Sequence, residues 1–280
     1  VKTIVLYHGN CPDGFGGAYA AWKKFGGSVE YVALHRDTPL PTDLAGNDLI
    51  FIDFCYEQPV MDAIVKEAKS VLVLDHHEGV EQVVRSMPAF VYDGERSGAS
   101  IAWNYFHPDT PLPYFIKLNE NVDLYRPLSD DDRALVAYTY AQPRTFAVLD
   151  EIVQKVEDPA ERARLVERGR AYAEYFQLIA TQLAENATLV SFEDYEVYLV
   201  EAPKMFTTDV GRKLASDEHP FTLIAHARAD SIRVSMRGIG KVDLTKIAQK
   251  YGGNGHPSAA AFSIPWGSPL PWKPIGPINS

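Results

Sequence analysis

Asp75, His76 and His77 stand in a row at the end of an apolar, β-branched run, Leu72, Val73 and Leu74. Carboxylate and imidazole side by side suit a transition metal. Two other apolar runs end in the same way: residues 3–7 lead to His8, and residues 48–52 lead to Asp53. Asp13 follows His8 in the stretch Gly9, Asn10, Cys11, Pro12, Asp13 and Gly14, which reads as a turn with no helical character. Asp123 stands before Leu124, Tyr125 and Arg126. A second group of residues suits an anion. Ser235 and Arg237 are followed by a glycine-rich stretch with Gly252, Gly253 and His256. Its backbone N–H groups and the guanidinium can both meet phosphate oxygens. Each feature also has a plainer use. A strand-end Asp is often a turn or cap residue, an Arg is often a surface ion pair, and a Cys is often a small buried residue, which is how Cys11 reads. Ser97 stands before a helix expected over 100–106, where capping and holding a phosphate at the helix start both remain open.

The elements that must position these residues alternate in type. Strands are expected over 3–7, 29–32, 48–52, 71–74 and 91–93, with helices over 15–25, 59–69 and 100–106 between and after them. Strand and helix in alternation indicate a parallel sheet. In open parallel sheets, ligands bind beyond the carboxyl ends of the strands, so His8, Asp53 and the Asp75–His77 run are expected to converge on one edge. A helix over 115–122 leads to Asp123, and Asp130, Asp131 and Asp132 read as a solvated helix start. Asp158, Pro159 and Glu161 form a capping box with proline in the first turn, opening a long helix to about 186. The pattern then turns to strands at 188–192, 196–200, 221–227 and 232–236, with helices at 208–216 and 244–251. The expected fold is α/β, an N-terminal parallel-sheet domain over 1–150 joined by a connecting helix over 151–187 to a smaller α+β domain over 188–265. A Pro-rich tail over 266–280 is expected to lie extended on the surface.

Composition narrows the function. The 280 residues are 46% hydrophobic, enough for a sizeable core, and the net charge is −10. Such a surface disfavours coating long DNA or RNA. Residues 226–250 hold six cations against two anions, leaving that stretch +4 and the remainder −14. A local basic patch on an acidic protein suits a small anionic ligand. The two cysteines make no disulfide framework, and no apolar run reaches the length of a membrane span. A cytoplasmic protein with no membrane partner is expected. The first turn lacks the G-x-G-x-x-G fingerprint of a dinucleotide enzyme.

Taken together and in order, these motifs resemble the DHH phosphoesterases. Asp75, His76 and His77 resemble the signature triplet, His8 with Asp13 and Gly14 the first motif, Asp53 the second and Asp123 the fourth. The stretch from Ser235 through Val242 and Asp243 to Phe262 resembles the associated DHHA1 domain. The resemblance implies a two-domain hydrolase with manganese in a cleft between the domains, closest in layout to the nanoRNase group and sharing motifs with RecJ-type exonucleases. One departure stands out. The family's first motif has His and two Asp, whereas this chain has one Asp, with Asn10, Cys11 or water left to fill the place.

The resemblance implies hydrolysis by a water nucleophile at one or two Mn2+ ions, with Mg2+ or Co2+ as alternatives. Asp53 would bridge, His8 and Asp13 would hold one ion, and His76 and Asp123 the other. Asp75 would orient a metal-bound His, and His77 would face the substrate or protonate the leaving group. Ser97, Ser235, Arg237, Gly252, Gly253 and His256 would bind substrate. The expected substrate is a short oligonucleotide, a dinucleotide or another small phosphorylated compound, and a homodimer is compatible with this layout. The alternatives are a phosphoanhydride hydrolase of the pyrophosphatase or exopolyphosphatase type, and a non-catalytic nucleotide- or metal-binding protein.

Overall fold

The structure is a computed structural model that describes residues 1–35 and 40–275. Residues 36–39, and the last five residues of the expected tail, lie outside the described residues. The chain divides into two compact units, Val1–Ala173 and Glu174–Ser280.

The first unit is built on five parallel strands, β1 (Thr3–His8), β2 (Glu30–Leu34), β3 (Asp48–Ile52), β4 (Ser70–Asp75) and β5 (Ala89–Tyr92). Their order in the sheet is β2-β1-β3-β4-β5. The central strands are almost wholly apolar because both faces are covered. Helices α1 (Pro12–Phe25), α4 (Gly98–Phe106), α5 (Tyr114–Asp123), α6 (Asp130–Tyr140) and α7 (Phe146–Glu157) contribute to a core that takes Val5, Ile50, Ile52 and Leu74 from the sheet. The alternate residues Ile4, Leu6, Phe51 and Val73 point the other way, onto α2 (Gln58–Glu67) and α3 (Glu81–Arg85). That is the period-two consequence of a pleated strand.

Small residues bring α1 and α4 together. A Cβ at Gly16 would stand 3.0 Å from the Ala99 Cβ, and one at Gly17 would collide with Ile52 Cγ2. The helix α7 was not legible as a separate element. Its buried stripe of Leu149, Ile152, Val153 and Val156 ends at Asp158, where the chain turns before α8 (Pro159–Glu185). Residues 151–157 thus belong to α7 rather than to the connecting helix, and the contact division falls inside α8.

Among the described residues, the second unit has seven strands: β6 (Thr188–Phe192), β7 (Tyr195–Glu201), β8 (Phe221–Ala227), β9 (Ser231–Gly238), β10 (Asn254–His256), β11 (Ala259–Pro265) and β12 (Trp272–Pro274). Their order is β10-β11-β9-β8-β7-β6-β12. One face carries α10 (Leu244–Lys250) over Phe192, Phe221 and Phe262. A separate cluster joins Val200 and Ile224 to α9 (Thr207–Leu214) and to Phe176, Ile179, Ala180 and Leu183 from the end of α8.

Two differences from the sequence reading lie here. The glycine-rich stretch is not an open loop but the β10–β11 hairpin, in which Gly255 runs against the Ala260 backbone without space for a side chain. The expected Pro-rich tail begins in a turn at residues 266–268, and within it Trp272–Pro274 pairs antiparallel with β6, with Trp272 buried. Its ladder register needs few N–H donors from a three-residue edge strand, which is where prolines are tolerated.

Candidate metal centre

The strand order decides where a ligand can sit. The chain leaves β1 for β2 on one side and returns to β3 on the other, so β1 and β3 flank the switch point of the sheet. A crevice opens at the carboxyl ends of the strands there. His8 is the last residue of β1, Asp53 follows β3, and β4 ends in Asp75 with His76 and His77 next. Asp53 has φ +57, in the left-handed region that Asp and Asn tolerate best. Its N–H donates to the Leu74 carbonyl at 2.9 Å, which ties the turn to β4.

Asp53 is 2% exposed and presents its two oxygens to two different groups. Oδ2 lies 3.3 Å from His8 Nδ1, and Oδ1 lies 3.2 Å from His76 Nε2 and 3.6 Å from His77 Nδ1. His76 Nε2 is also 3.4 Å from Asp123 Oδ2 and 3.8 Å from Asp13 Oδ2. Three sets of potential ligand atoms therefore cluster: His8, Cys11 and Asp53; Asp53, His76 and His77; Asp13, His76 and Asp123.

This partition differs from the expected one. Asp13 is grouped with His76 and Asp123, not with His8, because its carboxylate is turned to the start of α4. Gly98 N donates to Oδ2 at 2.6 Å and Ala99 N to Oδ1 at 3.1 Å, with Asn119 Nδ2 at 3.3 Å. Ser97 corrects a second expectation. It is fully buried, and its hydroxyl accepts from Ser100 N. It is a helix cap, and the helix-start amides that would take a phosphate already hold the Asp13 carboxylate. Third, the ring that Asp75 orients is that of His77. Asp75 Oδ1 accepts from His77 Nδ1 at 2.8 Å and from the backbone N–H groups of His76 and His77 at 2.7 and 2.9 Å. With Nδ1–H committed to a carboxylate, Nε2 is the other donor atom of that ring.

The electrostatics fit a cation. Burial and the charges of Asp53 and Asp123 push the Asp13 carboxyl well above its usual range, against the hydrogen bonds it receives. Burial and the Asp53 charge raise Asp123 to about 6. For Asp53, burial acts upward, but hydrogen bonds from His76 and His8 and the charges of His77 and His8 outweigh it and hold the group low. Burial likewise opposes protonation of His77, yet the Asp75 hydrogen bond and the charges of Asp75, Asp53 and Asp123 raise it to about 9. Burial and the charges of Asp53 and Asp13 push the Cys11 thiol up. The ion pairs of Asp13, Asp53 and Asp123 among the described residues are all with histidines. Carboxylates crowded against imidazoles in this way form a hard-to-borderline donor set for divalent metal, and a bound cation would reverse the upward shifts.

The comparisons follow this geometry. No protein-family model matches the sequence. An uncharacterized protein of Acanthamoeba polyphaga mimivirus is 24% identical over 287 residues, covering 93% of this chain and 67% of that protein. The DHH domain of a member of the s1p family of ribosomal proteins superposes with a TM-score of 0.60, at 12% identity, covering 94% of this chain and 82% of that one. An exopolyphosphatase-related protein from Bacteroides fragilis superposes at 0.54, with 15% identity over 95% of this chain and 87% of that one. The chain has the DHH fold.

In this DHH fold, the sequence reading missed the residues that support the ligands. Asn119 is buried and ties Asp13 to the Pro12 carbonyl. Glu120, beside it, accepts from Arg96, Arg126 and Ser97 N and so fixes the approach to α4. The signal was present as two polar residues inside the apolar pattern of α5. His107 stays structural, within 2.9 Å of the Ala20 carbonyl.

In the second unit, the cross-strand register lines up His256, Ala259 and Arg237 in one row and Asn254, Ala261 and Ser235 in the next. Ser235, Arg237 and His256 therefore share one face, with Arg237 and His256 two strands, or about 10 Å, apart. Arg237 Nε lies 3.4 Å from Thr208 Oγ1, and a Cβ at Gly211 would collide with its Cβ. Gly252 has φ +71 in the turn before β10. Gly253 packs on the Ala261 carbonyl, where a Cβ would collide. No helix among the described residues is long and apolar enough to cross a membrane.

Proposed function

We propose that this protein is a divalent-metal-dependent phosphoester hydrolase acting on short oligonucleotides, linear dinucleotides or similarly small phosphorylated substrates. The observation that carries the reading is Asp53, a buried carboxylate with one oxygen toward His8 and the other toward His76. That is the arrangement a bridging ligand between two cations requires. Bound divalent ions, with Mn2+ the first to test, supply Lewis acidity at phosphorus and a water acidic enough to deprotonate near neutral pH.

The chain's own residues do the rest. His76 and Asp123 hold one side of the centre, and Asp13, braced by the Gly98 and Ala99 amides, stands behind His76. Asp75 fixes the His77 ring through Nδ1, which leaves Nε2 to meet a phosphate oxygen or the departing oxygen. In the second unit, the face with Arg237, Ser235 and His256, together with Gly252 and Gly253, suits recognition of a terminal phosphate or nucleotide. The net charge of −10 favours short substrates over long strands.

The test is metal-dependent hydrolysis of a 5′-labelled RNA dinucleotide, with pyrophosphate alongside and His76→Ala as control. Release of mononucleotide by the native protein alone supports the proposal. Consumption of pyrophosphate only would make it a phosphoanhydride hydrolase. Metal binding without turnover of either would leave a binding protein.

A further inference from the structure

We propose that Cys11 is a metal ligand, its thiolate completing a His8–Cys11–Asp53 half-site that prefers Zn2+ or Co2+ to Mn2+ or Mg2+. The inference rests on the metal-centre reading above and adds the identity of one ligand and the resulting metal preference.

Four observations lead to it. A nitrogen of His8, the sulfur of Cys11 and an oxygen of Asp53 lie within 4.8 Å of one another. The residue expected beside His8, Asp13, is turned to the α4 amides and groups with His76, so it leaves that place to Cys11. Cys11 occupies the N-cap of α1 in extended conformation, yet its side chain makes no capping hydrogen bond, although this position favours Ser, Thr, Asp or Asn. Finally, the two cysteines differ in surroundings. Cys55 packs against the apolar cluster of β3 and β4 and hydrogen-bonds the Tyr56 carbonyl, as an inert buried thiol does. Cys11 belongs to none of the apolar clusters among the described residues, and its neighbours are charged.

The turn is shaped for this. Asn10 has φ +55, and a Cβ at Gly14 would collide with the His8 carbonyl, so the chain folds tightly back over the end of β1. That fold-back carries Cys11 to His8. Binding would release the thiol proton to solvent, since the ligand is the thiolate. A set of imidazole, thiolate and carboxylate suits Zn2+ and Co2+, whereas carboxylate-rich sets suit Mn2+ and Mg2+. The other half-site, Asp13, His76 and Asp123, is of the second kind. The two halves of the centre would therefore differ in the metal they favour.

Titrating the metal-free 280-residue chain with Co2+ tests this by absorption, without any substrate. Thiolate ligation gives a near-ultraviolet charge-transfer band, and Co2+ in any protein site gives visible ligand-field bands. The native protein and Cys55→Ser should show both. Cys11→Ser and Cys11→Asp should keep the visible bands and lose the near-ultraviolet one. Cys11→Ser should bind Zn2+ at least about tenfold more weakly. Cys11→Asp should recover binding with its preference moved toward Mn2+, which separates ligand loss from misfolding. Visible bands without a near-ultraviolet band in the native protein would overturn the role of Cys11 and leave the metal centre standing. Absence of any Co2+ binding would overturn the metal-centre reading and this inference with it.

Discussion

Replacing Gly98 with alanine should damage the centre without touching a ligand. Gly98 opens α4 directly against β3. A Cβ there would stand 2.6 Å from Asp53 Cβ, 3.1 Å from Asp53 Cα and 3.0 Å from Asp13 Oδ2. Carbon atoms in contact settle at about 3.5–4.0 Å, so α4 and the end of β3 must part by about 1 Å. The obstacle is backbone-borne on both sides, so no side-chain rotation relieves it. Overpacking of this kind costs about 1–3 kcal/mol, and the better helix propensity of alanine offsets at most about 1 kcal/mol. For a chain of this size, each kcal/mol moves Tm by about 2–4 °C, so a net cost of up to about 3 kcal/mol lowers Tm by up to about 12 °C. The displacement also lengthens the 2.6 Å bond from Gly98 N to Asp13 and moves Asp53 off both ligand groups. A misplacement of that size costs on the order of a hundredfold in a precisely arranged site. Calorimetric titration with Mn2+ and a thermal melt measure both effects. Gly27→Ala, with open space around the new Cβ, is the control. Native affinity and Tm in Gly98→Ala would refute the packing argument.

Further outcomes follow from the same geometry. Asp53→Asn should keep the fold, because Asn tolerates φ +57, yet lose metal binding by more than about a hundredfold, whereas Asp53→Ala should also cost about 1 kcal/mol of strain in denaturant unfolding. In the metal-free protein, the raised folded values of Asp123 (about 6) and His77 (about 9) both make the native state bind protons more tightly than the unfolded chain. Stability should therefore fall as pH rises, first from about 4 to 6 and again from about 6.5 to 9, the second step by as much as about 3 kcal/mol; denaturant melts across pH read this, and a flat profile would contradict it. Asp75→Asn should flatten the upper step and bring the His77 ring titration, followed by NMR, down from about 9. Arg237→Ala should raise KM for a dinucleotide by about tenfold with little change in kcat; an equal fall in kcat would place Arg237 in transition-state binding instead.

The residue pattern by itself determined the architecture of the first unit and most of its candidate ligands. Apolar β-branched runs fold as buried parallel strands, and whatever polar residue ends such a run must emerge at the carboxyl edge. His8, Asp53 and His76 were thus legible as neighbours before any coordinates. The boundaries of β3, β6 and β8 were legible for the same reason, since strand periodicity is local. The second unit's Ser235, Arg237 and His256 were read as a group, but the hairpin that aligns them was not, because glycine-rich sequence looks alike in a loop and in a tight two-stranded turn.

What only the tertiary structure decided is the division of labour. The family resemblance implied that Asp13 shares an ion with His8, but the α4 amides, distant in the chain, take its carboxylate and turn it toward His76. Burial and the cap it makes to Ser100 N withdraw Ser97 from any substrate, and the strand order puts the switch point between β1 and β3. Cys11, which reads as an inert small residue, faces His8 and Asp53 because the turn folds back over the strand end. Local composition encodes which element forms, whereas the orientation of a side chain depends on hydrogen-bond partners that only long-range packing brings within reach.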